Sequence, residues 1–275
     1  MTETSSPVAE AAVTDDRSLR ILTVGLCIGI TAVAFETLAV STAMPRAAQD
    51  LGALGWYAWA FSIFQATMLF ATVASGRMCD RIGPVRPMVA GMVVFGIGLA
   101  VAGSAPTMSV LILGRAIQGL GSGTMSVAIY VVIARYFPVD RRPRVLSWLS
   151  TAWVVPGFVG PLISGWITEH FSWHWVFGSV IPVVLIAALL LVPILVRAER
   201  NETDRSRWDR DPAAKEAPVW AAATAALAVP ILQFALQSPR WWTVPLLVVA
   251  LGLLALGLPR LMPAGIWTLR PGLGP

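Results

Sequence analysis

Glu36 and Arg115 each stand inside a long apolar run, and an ionisable side chain in such a place needs a reason. Glu36 lies in Val33-Ala34-Phe35-Glu36-Thr37-Leu38, and Arg115 in Leu113-Gly114-Arg115-Ala116-Ile117-Gln118-Gly119. At membrane depth each costs several kcal/mol unless it is paired or hydrated. Arginine keeps its charge at any relevant pH, so Arg115 must find an anion, carbonyl oxygens or water. It lies more than a turn inward of Ser109, deeper than easy snorkelling allows, although outward snorkelling is the plainer alternative. A carboxylate at Glu36 should not face lipid. It can serve as a site of proton uptake and release or bind substrate, the alternative being a structural hydrogen-bond partner.

A third polar feature is Gly76-Arg77-Met78-Cys79-Asp80-Arg81-Ile82-Gly83, where two glycines bracket an acid–base pair. The spacing predicts a very short turn between two spans, with the glycines permitting the bend and the acid close to a helix N-terminus. An ordinary charged loop is the alternative. A fourth feature is Pro156-Gly157-Phe158-Val159-Gly160-Pro161-Leu162-Ile163-Ser164-Gly165. Small residues let membrane helices approach closely and proline kinks them. Such a helix suits a face that packs in one state and loosens in another, or simply static packing.

The elements that must position these residues follow from composition. The chain has 275 residues, 56% hydrophobic and 13% charged, about half the charged content of a soluble domain. A bilayer can solvate that apolar surface. A helix of about 20 apolar residues crosses its roughly 30 Å core, and eight runs qualify: 21–44, 56–75, 87–105, 109–134, 145–167, 174–196, 218–236 and 242–259. No run shows the period-two alternation of a membrane barrel. The expected fold is therefore all-α and polytopic. The polar N-terminus lacks a basic n-region, so the first run is expected to remain as a spanning helix and not a cleaved signal.

Charge sets the orientation. With the N-terminus inside, only Arg46 and Arg240 of the 20 basic residues fall in outer segments and Arg115 within a span. Every other Lys and Arg falls on the cytoplasmic side, which the positive-inside rule demands. Both chain ends are expected in the cytoplasm of a multi-pass cell-membrane protein. The net charge of +5 is then topological, and nucleic-acid binding is excluded. The domain reading is a tail (1–20), a six-helix unit (21–196), a charged linker (197–217), a helix pair (218–259) and a second tail (260–275).

Cys27 and Cys79 form neither a disulfide framework nor a metal spacing, and His170 and His174 beside Trp173 and Trp175 read as interfacial. No metal or cofactor is expected. No Ser/His pair, paired Asp residues or His-Glu-x-x-His cluster lies in the spans, so an intramembrane enzyme is not expected.

Together these segments resemble the major facilitator superfamily. Gly76, Asp80, Arg81, Gly83 and Arg86 look like its loop motif Gly-x-x-x-Asp-Arg-x-Gly-Arg-Lys, with Pro84 and Val85 in place of the usual basic pair. The resemblance implies a conformational latch at Asp80 and Arg81. Arg115, Gln118, Gly119 and Gly121 look like the fourth-helix motif Arg-x-x-Gln-Gly-x-Gly, which implies proton coupling at Arg115. Gly160, Pro161 and Gly165 resemble the fifth-helix antiporter motif, to which Gly157 adds a further small residue; Pro156 and Ser164 replace two of its glycines. Glu36-Thr37-Leu38-Ala39-Val40, Met44-Pro45 and Ser172-Trp173-His174-Trp175 resemble the fourteen-helix drug:proton antiporter branch. In that branch the 218–259 pair would be the two inserted helices.

The resemblance implies a bundle of 3+3 helical repeats and proton-coupled export of a hydrophobic or cationic drug-like molecule. The partners are then the lipid bilayer, protons and a small-molecule substrate, with Glu36, Arg115 and Gln118 lining the cavity. Such transporters place the substrate between two halves, so a missing C-terminal half or a second copy is the further implied partner. The chain reads as a fragment or a pairing half, and a non-transporting remnant or assembly partner is the competing reading. Alone, it would be expected to expose Glu36 and Arg115 on an uncovered cavity face.

Overall fold

The structure is a computed structural model, and it describes residues 15–201, 219–237 and 243–261. Its helices are α1 (Asp16–Asp50), α2 (Tyr57–Ile82), α3 (Val85–Gly103), α4 (Met108–Tyr136), α5 (Arg142–His170), α6 (His174–Asn201), α7 (Val219–Gln237) and α8 (Val244–Leu261). A 3-10 turn at Leu54–Trp56 leads into α2. The described residues are helices and short connections, with no strand among them. The helices α1 to α6 are long and apolar enough to cross a membrane, while Val244–Gly257 is a shorter apolar stretch. Most of the charged linker, the first 14 residues and the last 14 lie outside the described residues.

Helix limits follow local chemistry. Asp15 caps α1, its carboxylate accepting from the backbone N–H of Arg17 and Ser18 at 3.3 Å, as N-cap residues do. The Arg17 N–H, and then the Ser18 hydroxyl, hold this exposed carboxyl below the usual carboxylate range. Thr107 caps α4 in the same way. α1 continues beyond the expected stop at Pro45 to Asp50, and its added turns carry an Arg46–Asp50 ion pair at 3.1 Å.

The expected loop at Gly76–Gly83 is corrected. α2 runs on as helix through Arg77, Asp80 and Arg81 to Ile82, and the chain turns only at Gly83 and Pro84. Gly83 has φ +86°, a conformation that glycine adopts without a Cβ penalty. Gly76 is an ordinary helical residue with open space where a Cβ would stand. Only the second glycine makes the bend, so Asp80 and Arg81 form the exposed last turn of α2 and not the turn itself.

Packing shows an internal symmetry. α4 packs on α2 and α3, and α1 packs correspondingly on α5 and α6. Exchanging α1–α3 for α4–α6 maps one set of pairs onto the other. Each three-helix repeat thus gives its first helix to the other, forming two trios, α1/α5/α6 and α2/α3/α4. The trios meet broadly through α3 and α6 and only narrowly through α1 and α4. α7 lies against α2 and α8.

Within the α2/α3/α4 trio, close approach depends on glycines of α4. A Cβ on Gly114 would stand 2.6 Å from the Ala102 nitrogen, and one on Gly121 would stand 2.6 Å from Phe95 Cα, both on α3. Gly119 and Gly123 meet α2 at the backbone of Phe64 and Met68 in the same way. The Gln-Gly-x-Gly stretch is therefore two stripes of absent side chains, one for each neighbouring helix. On α5 the situation differs. A Cβ at Gly157, Gly160 or Gly165 would make ordinary contacts of 3.7, 3.6 and 3.8 Å with α1. The α1–α5 contact is instead tied by hydroxyls, Ser164 donating to the Ala39 carbonyl at 2.7 Å and Thr31 to the Ala152 carbonyl at 3.1 Å.

Candidate functional site

Glu36 and Arg115, 79 residues apart, meet across the narrow α1–α4 seam. Arg115 Nη1 donates to Glu36 Oε1, and both residues are 1% exposed. The same nitrogen donates to Gln118 Oε1 at 2.9 Å, one turn further along α4. Arg115 Nε donates to the Ala60 carbonyl of α2 at 3.3 Å, and the guanidinium lies 4.1 Å from the centre of the Phe64 ring. The charge on Arg115 thus has a carboxylate, an amide oxygen, a backbone carbonyl and an aromatic face.

This arrangement corrects the expectation that the pair would lie on an exposed face in need of cover. Each charge has its counter-ion within the chain, because the seam brings a carboxylate of one trio onto a guanidinium of the other. Both side chains are buried where α1 meets α4. Two atoms of the cluster remain unbonded: buried Glu36 Oε2 and Gln118 Nε2 have no hydrogen-bond partner.

The other residues singled out in the sequence lie elsewhere. Asp80, Arg81 and Arg86 are exposed around the α2–α3 turn, with Gly83 buried between them. Gly157, Gly160, Pro161 and Gly165 lie along α5, where the three glycines face α1. The pair Trp173 and Trp175 separates: Trp173 is fully buried and stacked on His174, whereas Trp175 is exposed.

Sequence reasoning missed Ala60, Phe64 and Gly98. Ala60 contributes a backbone oxygen, which no side-chain pattern announces, and Phe64 reads as one more core aromatic. Gly98 on α3 leaves room for Gln118, since a Cβ there would stand 2.5 Å from the Gln118 nitrogen and 2.7 Å from its Cγ. Gly98→Ala is therefore expected to lower stability by about 1–3 kcal/mol through overpacking. A thermal unfolding curve in detergent indistinguishable from wild type would show that α3 can move aside.

A bundle whose described residues include six helices long and apolar enough to cross a membrane defines a polytopic membrane protein. Residues 26–269 match the family model described as Major Facilitator Superfamily, and the chain belongs to that family. It is 28% identical over 191 residues to "Multidrug resistance protein 3" of Bacillus subtilis, covering 70% of this chain and 37% of that protein. It is also 28% identical over 176 residues to "Multidrug efflux pump SdrM" of Staphylococcus aureus, covering 64% of this chain and 39% of that one. Among solved structures, a peptide transporter POT in complex with sulfate superposes with a TM-score of 0.57 at 19% identity, over 88% of this chain and 51% of that chain. The chain therefore spans little more than a third of these efflux relatives and about half of the solved transporter. As a member of this transporter family it is a multi-pass membrane protein and not an enzyme.

Proposed function

We propose that the chain supplies the N-terminal half of a proton-coupled exporter of hydrophobic or cationic drug-like molecules, in the fourteen-helix branch of the family. The observation that carries this reading is the buried Glu36–Arg115–Gln118 cluster across the α1–α4 seam. Glu36 Oε1 holds Arg115 while Oε2 has no donor, so the carboxyl can accept a proton on Oε2 without first breaking the pair. Protonation removes the negative charge and leaves the guanidinium with Gln118, the Ala60 carbonyl and the Phe64 ring. The seam between the trios weakens, the bundle yields there, and bound substrate is loosened. Loss of the proton restores the pair.

In this reading the exposed face of α5, with Phe158, Leu162 and Trp166 at 76%, 75% and 55% exposure, packs on a second six-helix half. α7 and α8 are the inserted pair, the charged linker joins them to the six-helix unit, and the basic ends of the helices face the cytoplasm. Asp80 and Arg81 then sit at the cytoplasmic end of α2, placed to latch against the other half. Efflux relatives support the substrate class.

The test is pH-gradient-driven efflux of a hydrophobic cationic dye from proteoliposomes holding the complete two-half transporter. Glu36→Gln is expected to abolish the acceleration by the gradient. A variant that responds to the gradient as wild type does would remove Glu36 from the proton path. Residues 1–275 alone are expected to give no such efflux.

A further inference from the structure

Many hydroxyls on these helices bond a carbonyl of their own helix, as Thr37 does at Val33 (2.8 Å) and Ser150 at Leu146 (3.0 Å). Thr31 and Ser164 reach instead across the α1–α5 contact. Pro156 and Ser164, which stand in place of two glycines of the fifth-helix pattern, account for both ties. Ser164 is fully buried and is itself the donor, to the Ala39 carbonyl. Pro156 has no N–H to give the Ala152 carbonyl four residues before it, and the Thr31 hydroxyl takes up that oxygen. The glycines do not draw the two helices together, since a Cβ at Gly157, Gly160 or Gly165 would make only ordinary contacts. On α1 the two tie points bracket Glu36, which lies five residues after Thr31 and three before Ala39. Along a helix axis those intervals are about 8 Å and about 5 Å.

We propose that Thr31 and Ser164 are positioning residues for Glu36. Their two hydroxyls fasten the Glu36 segment of α1 to α5, so α5 aims the carboxylate at Arg115. The pair across the α1–α4 seam is then held from both sides: by Gln118, the Ala60 carbonyl and the Phe64 ring around the guanidinium, and by α5 behind the carboxylate. The consequence for transport rests on the function proposed above. α5 also carries the exposed Phe158 and Leu162 assigned to the contact with a second half. When protonation opens the seam, α1 and α5 leave α4 as one piece, and the event at Glu36 reaches that face through two hydrogen bonds.

The experiment uses the purified chain in detergent and needs no transport. Dicyclohexylcarbodiimide attacks protonated carboxyls in apolar surroundings, and peptide mass spectrometry gives the rate of its addition to Glu36. Thr31→Val with Ser164→Ala should raise that rate about fivefold, as the loosened carboxyl leaves Arg115 more often. Thr31→Ser keeps the hydroxyl and should label as wild type. Ser75→Ala removes a tie of the same kind between α2 and α4, the Ser75 bond to the Thr124 carbonyl, and should also leave the rate unchanged. Denaturant titration supplies the second readout. Thr31→Val should lower the folding equilibrium constant about fivefold in wild type, by stranding the Ala152 carbonyl. In a Pro156→Ala background, where an N–H is returned to that carbonyl, the loss should fall to about twofold or less. An unchanged Glu36 rate in the double variant, equal acceleration by Ser75→Ala, a Thr31→Ser chain that behaves as Thr31→Val, or a Thr31→Val loss that Pro156→Ala leaves the same would each overturn the proposal. Glu36→Gln efflux that still follows the pH gradient would instead remove Glu36 from the proton path and leave its positioning by α5 standing.

Discussion

Glu36→Ala is expected to destabilise the bundle by about 3–5 kcal/mol, because it strands a guanidinium in the interior. Arg115 is 1% exposed, and its other partners, Gln118, the Ala60 carbonyl and the Phe64 ring, are all neutral. Arg115→Met should cost a similar amount by leaving the carboxylate unpaired. The decisive comparison is the double variant, Glu36→Ala with Arg115→Met. Removing both charges abolishes the unmet electrostatic demand, so the double variant should be more stable than either single one. Denaturant titration in mixed micelles gives the four stabilities of this cycle. Losses that merely add would mean that the two side chains do not depend on each other.

The second large effect is steric. Gly121→Ala should cost at least about 1–3 kcal/mol, since the new methyl would stand 2.6 Å from Phe95 Cα and a backbone cannot turn aside as a side chain can. Gly160→Ala should be neutral or slightly stabilising. Its methyl meets Phe35 at 3.6 Å, and alanine is the better helix former by about 1 kcal/mol. Both glycines belong to motif-like stretches, yet their predicted costs differ because an added methyl would overlap a backbone at Gly121 and make only an ordinary side-chain contact at Gly160. Equal shifts in the melting temperatures of the two variants would contradict the packing described for α3 and α4.

How much was legible beforehand depended on what each residue costs by itself. Glu36 and Arg115 announced themselves because a charge among apolar neighbours demands a partner wherever it stands. That they are each other's partner was not legible, because their meeting requires α1 to leave its own repeat and pack on α5 and α6. The span count through α6 followed from apolar length. The helix ends did not, because apolar runs mark the hydrocarbon core while helices continue past it. α2 therefore carries Asp80 and Arg81 on a helical turn where a loop was expected. Gly98 was invisible for a different reason: its importance lies in Gln118, a residue on another helix.

The exchange of first helices between the repeats has a consequence for biosynthesis. Glu36 emerges from the ribosome 79 residues ahead of Arg115, roughly 4–16 s at ordinary elongation rates. Throughout that interval the first crossing holds an acidic group whose counter-ion has not been made, and α1 lacks both helices it will pack against. The nascent α1 must therefore be sheltered at the insertion machinery, or wait with its carboxyl protonated, until the fourth crossing arrives. Assembly is not sequential from the first helix onward. It closes late, when the chain returns to collect its own beginning.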